Sequence, residues 1–305
     1  MSTIRPVMFM LLATGLAIGV VSAAIAQPVA PSFKPANKAA RTTVAVTGSP
    51  ANPGEAAHAP RSDAESGEKL RLAAQNPVAN LISVPFQNNT NFDTGPYSRP
   101  QNVLNIQPVV PFKISPEWNL ITRWVTPLIY QPRISPTEGA EFGLGNLQPS
   151  FFLSPAQPGK IIWGVGPVFW LPTATAGTLG VNKWGAGPTA VALTIEGPWV
   201  IGALVNNIWA GTKKQLVNQM LIQPFVNYNL PHGWYLTSGP VIASNWLAKA
   251  DDRWTVPVGG GFGRLFKVDK LPINAQIQAF YNVVKPQFGS TWSLRFQVQA
   301  LFPTF

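Results

Sequence analysis

The chain has no cysteine and little charge. Asp, Glu, Lys and Arg together make up 11% of its 305 residues, against about 25% in ordinary soluble domains. The missing cysteine excludes disulfide bridges and every site that needs a thiolate. The missing charge argues against a water-exposed surface over most of the chain, because such a surface carries more ionised side chains than this sequence provides.

Histidine and paired carboxylates are scarce as well. The only histidines are His58, in a proline-rich stretch, and His232, in a turn between Pro231 and Gly233. No two carboxylates recur at a spacing suited to acid–base catalysis. We therefore expect no enzyme, no cofactor and no metal site. A barrel lipase that uses His232 with a serine is the one enzyme class left open.

A long apolar run occurs only at the amino terminus. Arg5 precedes an uncharged, largely apolar stretch over residues 6–21, and Ala24-Ile25-Ala26 then supplies small residues where a signal peptidase reads. This pattern predicts a secretory signal peptide over residues 1–26, cleaved to leave Gln27 first. An uncleaved membrane anchor is the alternative. Beyond this segment, no stretch of about 18 apolar residues predicts a spanning helix.

Positive charge exceeds negative charge without forming a patch. The formal net charge is +10, which raises the question of a nucleic-acid partner. The cations are scattered, however, and Lys213-Lys214 is their only adjacent pair. We expect no nucleic-acid binding, because the sequence shows neither a basic stripe nor a basic helix.

The closing run, SLRFQVQALF at 293–302, alternates strictly between polar and apolar residues. Period two predicts a β-strand with one polar and one apolar face. A run of about ten such residues is the repeating unit of a transmembrane β-barrel, with the apolar face toward lipid. Because the run ends on Phe302, we expect the barrel-assembly machinery to read this strand. The tail Pro303-Thr304-Phe305 overhangs it.

Twelve strand-like runs follow one another from about residue 80. Together they predict an all-β fold, an antiparallel transmembrane barrel of about 12 strands. A soluble β-sandwich is the alternative, but it would carry charge where these runs carry Asn and Gln. The predicted runs are 80–92, 101–113, 117–131, 140–153, 160–172, 184–195, 199–210, 217–230, 233–247, 253–267, 271–284 and 291–302.

Short and long connections alternate between these runs. Tight turns are expected around Ser115-Pro116 and Pro231-His232, and longer connections at 132–139, 173–183 and 211–216 among others. Short periplasmic turns alternating with longer outer loops are typical of outer-membrane barrels. The pattern predicts location in the bacterial outer membrane, with outer-membrane lipid against the outer wall.

The segment before the strands predicts flexibility and then a short helix. Residues 27–64 are rich in Ala, Pro, Ser and Thr without periodicity. Residues 65–82 carry an apolar stripe interrupted at Pro77, and we expect them to lead into the first strand. A plug or interface helix is the alternative. The expected division is a flexible periplasmic segment at 27–75 and the barrel at 76–305.

Strand parity assigns a set of amides and two arginines to the lumen. Such amides donate and accept hydrogen bonds without fixing a charge. One interpretation is a passage for neutral or amphipathic solutes, and the other is a closed interior filled by amides bonded to one another. The predicted lumen-lining residues are Asn105, Gln107, Asn119, Arg123, Asn146, Gln148, Gln219, Gln223, Asn227, Asn274, Gln276, Gln278, Arg295, Gln297 and Gln299.

Arg123 and Arg295 are the notable charges of this predicted lumen. Each could attract a carboxylate or a phenolate, or pair with an acid such as Glu141. Structural pairing is the commoner outcome, because buried charges require partners.

Several long segments of the chain resemble one bacterial envelope family. It is the family labelled for the MetA pathway of phenol degradation, whose members are often named transporters or, misleadingly, neuromedin U. The resemblance covers about residues 70–305 and implies an outer-membrane barrel distantly related to channels for hydrophobic compounds. It establishes no substrate and defines no catalytic residues. The segments that carry it are 75–97, 142–155, 223–246, 254–268, 275–286 and 292–303.

Together these observations predict a barrel that passes small hydrophobic or aromatic solutes without energy input. A non-conducting structural or adhesive barrel is the alternative.

Overall fold

The chain folds into a closed antiparallel barrel in which the first strand pairs with the last. The computed structural model describes residues 59–212 and 215–302. The predicted signal peptide, most of the predicted flexible segment, the Lys213-Lys214 pair and the tail after Phe302 lie outside the described residues. Within them, β1 bonds to β2 on one side and to β15 on the other, so the sheet has no free edge.

Fifteen strand segments build the wall, and three pairs of segments each form one barrel strand, which leaves twelve barrel strands, as predicted. The composite strands are β2 with β3, β5 with β6, and β11 with β12. The segments are β1 (Ile82–Thr94), β2 (Arg99–Ile106), β3 (Val109–Lys113), β4 (Trp118–Gln131), β5 (Glu141–Leu144), β6 (Gln148–Pro155), β7 (Ile161–Trp170), β8 (Gly185–Glu196), β9 (Trp199–Thr212), β10 (Gln215–Asn229), β11 (Trp234–Ser238), β12 (Ile242–Asn245), β13 (Trp254–Val268), β14 (Leu271–Val284) and β15 (Trp292–Phe302).

The composite strands break for local reasons. Proline cannot donate to a strand ladder, and Pro108 and Pro240 stand at two of the breaks. At the third, Leu128 pairs with Leu144 but Val125 pairs with Gln148, so the second strand carries one extra residue there. This extra residue makes a β-bulge between β5 and β6.

The alternating sequence pattern sorts side chains between the two faces of the wall. In β15, Arg295 and Gln299 are buried inside, whereas Phe296 is half exposed on the outside. Phe86 in β1 and Phe262 in β13 likewise point outward. The outer surface is therefore apolar over the strands, as a lipid-facing wall requires. Among the described residues, no helix is both long and apolar enough to cross a membrane.

Aromatic side chains form a girdle around each end of the outer wall. At the end with the short turns, which we call the periplasmic end, Trp118 meets Trp163 edge to face at 6.0 Å and Trp199 meets Tyr228 at 4.7 Å. At the opposite, outer end, Phe92 stacks on Trp292, and Trp246 meets Trp254. Such girdles mark the two membrane–water interfaces of outer-membrane barrels.

One predicted outer connection is wrong. Residues 211–216 do not form a long loop, because β9 continues to Thr212 and β10 begins at Gln215, with the two residues paired to each other. Water surrounds the parts of barrel strands that extend beyond the bilayer, so polar residues there do not interrupt the strand pairing. The ladder therefore continues to Thr212 and Gln215, which the sequence pattern assigned to a loop.

A helix, α1 (Ala59–Ala74), precedes the barrel. The predicted helix over 65–82 is thus displaced toward the amino terminus and ends before Pro77. Proline disfavours a helical conformation in the residue before it. Asn76 instead turns the chain, accepting a bond from the backbone N–H of Val78 through its side-chain oxygen at 3.0 Å.

Candidate functional site

The barrel lumen holds two cavities that meet at a ring of polar side chains. The outer cavity measures about 260 Å³ and the periplasmic cavity about 170 Å³. Five residues border both cavities, and we call them the central ring: Gln87, Gln107, Arg123, Gln223 and Arg295.

The end of α1 and the segment that follows it lie at the periplasmic end of the lumen. Arg71 donates from Nη1 to the carbonyl oxygen of Leu230 at 2.7 Å, and Gln75 donates to Asn229 at 2.9 Å. Both partners lie at the end of β10, so the segment is tied to the barrel rim. The sequence analysis favoured a simple lead-in. In the structure residues 75–81 are not helical and line the periplasmic cavity, and we call them the plug.

An apolar cluster anchors this plug. Val78 is 5% exposed and packs among side chains that share the lumen-facing parity of their strands. Burial of a valine in such a cluster stabilises the contact by roughly 1.5 kcal/mol or more. The wall residues of the cluster are Ile121, Phe152, Val191, Leu193, Val200 and Leu204.

The connection between β7 and β8, residues 171–184, folds into the outer end, and we call it the inward loop. Its Leu179 is buried against Val103 and Ile129 of the wall. Asn146 donates from Nδ2 to the carbonyl oxygens of Leu171 at 3.0 Å and Val181 at 2.6 Å. The side chain that parity assigned to the lumen therefore holds this loop in place.

A glycine makes this contact possible. A Cβ at Gly180 would lie 2.2 Å from the Asn146 side-chain oxygen and 3.0 Å from Cβ of Ala174. Any larger residue would force the loop and the asparagine apart, so Gly180 permits the loop to lie close to the wall.

Replacing Asn146 with alanine is expected to free the inward loop. The variant loses both bonds from the side chain to Leu171 and Val181. Trypsin should then cleave after Lys183 in folded, membrane-embedded protein several times faster than in the wild type. Gln148→Ala is the matched control, because Gln148 bonds to the indole of Trp170 and not to the loop. Equal cleavage in the two variants would show that Asn146 does not hold the loop.

The structure places the predicted lumen residues in three groups. Four lie in the central ring, namely Gln107, Arg123, Gln223 and Arg295. The outer cavity is bordered by Asn105, Asn146, Gln148 and Gln219. The periplasmic cavity is bordered by Asn227, Asn274, Gln276, Gln278, Gln297 and Gln299. Asn119 borders neither cavity and lies near the periplasmic end of β4, paired with Ser154.

Some lumen amides bond to one another, as a filled interior requires, and others face open space, as a passage requires. Some bond to one another along the wall, as Gln101 does to Gln131 at 2.5 Å and Asn274 to Gln299 at 3.2 Å. Asn105, Gln219 and Gln297 make no side-chain hydrogen bond within the described residues and border cavity space. Amide bonding therefore stiffens parts of the wall without filling the interior.

Several lumen residues could not be found from the polar pattern. Gln87 and Asn89 lie in the run QNNTN, where polar residues occupy both parities and hide the inward face. Trp170 and Tyr235 also point inward. Tyr235 is buried and donates to Asn274 at 2.8 Å. A parity count that included aromatic residues would have found both.

Arg295 is held on three sides by the barrel. It donates from Nε to Asn89 at 2.9 Å and from Nη1 to the carbonyl oxygen of Gly239 at 2.6 Å. Its guanidinium carbon also lies 4.9 Å from the centre of the Phe280 ring. These contacts are neutral, so they fix the position of the cation without cancelling its charge.

Arg123 has one hydrogen-bond partner in the part of the chain that the structure describes. It donates from Nη2 to Gln107 at 2.5 Å. The expected pairing with Glu141 is wrong, because Glu141 is exposed at the outer end of β5. The ion pairs in the described part of the chain join Arg71 to Glu68 and Lys160 to Glu196, and neither involves the central ring.

The candidate catalytic histidine lies away from both cavities. His232 is exposed in a single turn of 3-10 helix, Pro231–Gly233, at the periplasmic end, with φ of 58°. His58 lies outside the described residues. Over residues 59–212 and 215–302, no three His, Cys, Asp or Glu side chains cluster closely enough to hold a metal ion.

Solved structures of outer membrane proteins are similar to this chain. A COG4313 outer membrane channel from Pseudomonas putida F1 superposes with a TM-score of 0.55 at 17% identity, covering 72% of this chain and 93% of that one. Outer membrane phospholipase A from Escherichia coli gives 0.37 at 12% identity, covering 75% and 98%. No family model and no curated protein matches the sequence.

The first likeness shows a common fold, and the second is too distant to support any further conclusion. The closed barrel, its apolar wall and its aromatic girdles place the protein in the bacterial outer membrane. The resemblance to the phenol-degradation family stays a prediction, because no family model matches.

Proposed function

We propose that the barrel is a passive channel for small hydrophobic or aromatic solutes. The observation that carries the proposal is the mixed wall of the outer cavity, where apolar side chains alternate in space with amides. Binding sites for small molecules are typically apolar with a few placed polar groups. The apolar lining residues include Val125, Pro127, Ile129, Trp170, Leu179, Ile208 and Leu221.

Cavity size supports the same solute class. An apolar cavity of about 150 Å³ can hold one benzene molecule, and the outer cavity measures about 260 Å³. A monocyclic aromatic solute therefore fits within it. The shared fold with the Pseudomonas putida channel supports transport by analogy, because fold alone does not define function.

A non-conducting structural or adhesive barrel is the second candidate. The observation that favours it is that the plug at residues 75–81 and the inward loop both occupy part of the lumen. The unfilled volume of the two cavities favours transport, because a purely structural barrel of this size gains stability by filling its interior. We infer further that the protein is not an enzyme, since His232 faces solvent.

Two partners follow from this proposal. The outer wall contacts membrane lipid, and the barrel-assembly machinery recognises strand β15, whose last residue Phe302 is exposed on the outer face.

A matched pair of tryptophan substitutions tests the transport proposal. Ala243 borders the outer cavity, so Ala243→Trp narrows the lumen. Ala275 pairs with the outward residues Arg264 and Val298, so Ala275→Trp points into lipid. Cells that express the wild type should take up the hydrophobic dye phenylnaphthylamine faster than cells without the protein. The gain should disappear with Ala243→Trp and survive with Ala275→Trp.

Dye influx has two outcomes that contradict the proposal. Wild-type protein that is present in the membrane without raising influx would favour the structural barrel. Equal influx through both tryptophan variants would show that the dye does not pass through the outer cavity. Heat-modifiable migration in gels checks that each variant is folded.

A further inference from the structure

We propose that the central ring, through its residues Arg123 and Arg295, binds the carboxylate of an amphipathic solute. The proposal rests on the proposed function, because it assumes that solutes enter the lumen. It adds to that function a ligand class, a monoanionic carboxylate with an aromatic or apolar body.

Within the described residues, neither arginine has a counter-charge. Arg295 is 6% exposed, and all of its contacts are with neutral groups. Arg123 bonds only to the Gln107 amide among the described residues. A guanidinium stays charged in proteins, and buried charges are normally paired. A bound anion would supply the missing partner.

The surrounding lumen strengthens this argument. Arg253 borders the outer cavity, and its Nε is buried without a hydrogen-bond partner. No Asp or Glu borders either cavity in the part of the chain that the structure describes. Three cations without an acid create a positive field inside low-dielectric walls, where charge acts strongly. The field draws anions from the outer mouth toward the ring.

The chemistry of the ring favours a carboxylate. Guanidinium groups bind carboxylates through paired, charge-assisted hydrogen bonds. The Gln107 and Gln223 amides, which also border both cavities, offer neutral donors beside them. In the outer cavity, Val125, Trp170 and Leu221 provide apolar contacts for the body of the solute. A carboxylate head in the ring and an aromatic body in the outer cavity use both features.

Benzoate and benzamide provide a matched pair of probes, because they differ in charge but share their shape. Calorimetry on the refolded barrel in non-ionic detergent at neutral pH should show benzoate binding more tightly than benzamide. The variant Arg123→Gln with Arg295→Gln should weaken benzoate binding about tenfold or more, as loss of charge-assisted bonds predicts. Benzamide binding should hardly change. Arg99→Gln with Lys249→Gln removes the same charge from exposed positions and serves as the control.

Three results would overturn the carboxylate site. They are equal binding of benzoate and benzamide by the wild type, unchanged benzoate binding in the double glutamine variant, and an equal loss in the control. If that variant does not fold, Arg123→Lys with Arg295→Lys keeps the charge and should retain part of the preference for benzoate. The wild-type comparison of the two probes stands without any variant.

Dye influx separates this proposal from the proposed function. Influx of the neutral dye without any benzoate preference refutes the carboxylate site and leaves the channel standing. Benzoate preference without dye influx refutes the channel and leaves a binding site in a closed barrel.

Discussion

Val78→Asp is expected to open the periplasmic end and raise the ion conductance of the barrel several-fold in planar bilayers. The substitution places a carboxylate in the apolar cluster that anchors the plug. Burying an unpaired charge costs several kcal/mol, and about 3 kcal/mol shifts an equilibrium between bound and released plug by roughly a hundredfold. Released plug leaves the central ring continuous with the periplasm.

Asn80→Asp is the control for this experiment. Asn80 belongs to the same segment but is exposed, so its carboxylate stays hydrated. Conductance of this variant should match the wild type. If Val78→Asp also matches the wild type while it is folded and inserted, the segment at 75–81 does not obstruct the passage of ions.

Val298→Arg is expected to destabilise the barrel by about 2–4 kcal/mol, the cost of a cation on a lipid-facing site near the bilayer midplane. Val298 lies near the middle of β15 and pairs with the outward residue Phe86. Urea titration of protein folded into lipid vesicles, followed by tryptophan fluorescence, measures the free energy of unfolding.

Gln297→Arg is the matched substitution on the other face. Gln297 borders the periplasmic cavity, where water and amides solvate the added cation. Its free energy of unfolding should fall by much less. Equal losses from the two variants, or a larger loss from Gln297→Arg, would contradict the assignment of faces in β15.

The fold could be predicted from the sequence because lipid and lumen impose opposite polarities on successive residues. In β15 this rule holds from Ser293 to Gln299, and it gave both the strand and its faces. The rule fails in β1, where Gln87 and Asn89 point inward while Asn88 and Thr90 point outward. Asn88 and Thr90 both form hydrogen bonds with the side chain of Asn102, so their polar groups are satisfied without water.

The plug and the inward loop could not be predicted from periodicity. The inward loop is held by Asn146, whose partners lie 25 and 35 residues away. The plug depends on Val78 joining a cluster of buried side chains from four different strands. Such contacts depend on the closed barrel. Pro77 predicted an interruption of the helix, but the sequence did not show that the chain enters the lumen after it.

Cysteine labelling tests most directly whether aromatic solutes move through the two cavities, as we propose. The natural chain has no cysteine, so a single one at Ala79, which borders the periplasmic cavity, reports access alone. N-phenylmaleimide added outside intact cells should label Ala79→Cys quickly. Adding Ala243→Trp should slow the labelling strongly, and adding Ala275→Trp should leave it unchanged. Labelling that is equally fast with the lumen narrowed by Ala243→Trp would contradict a solute path through the barrel.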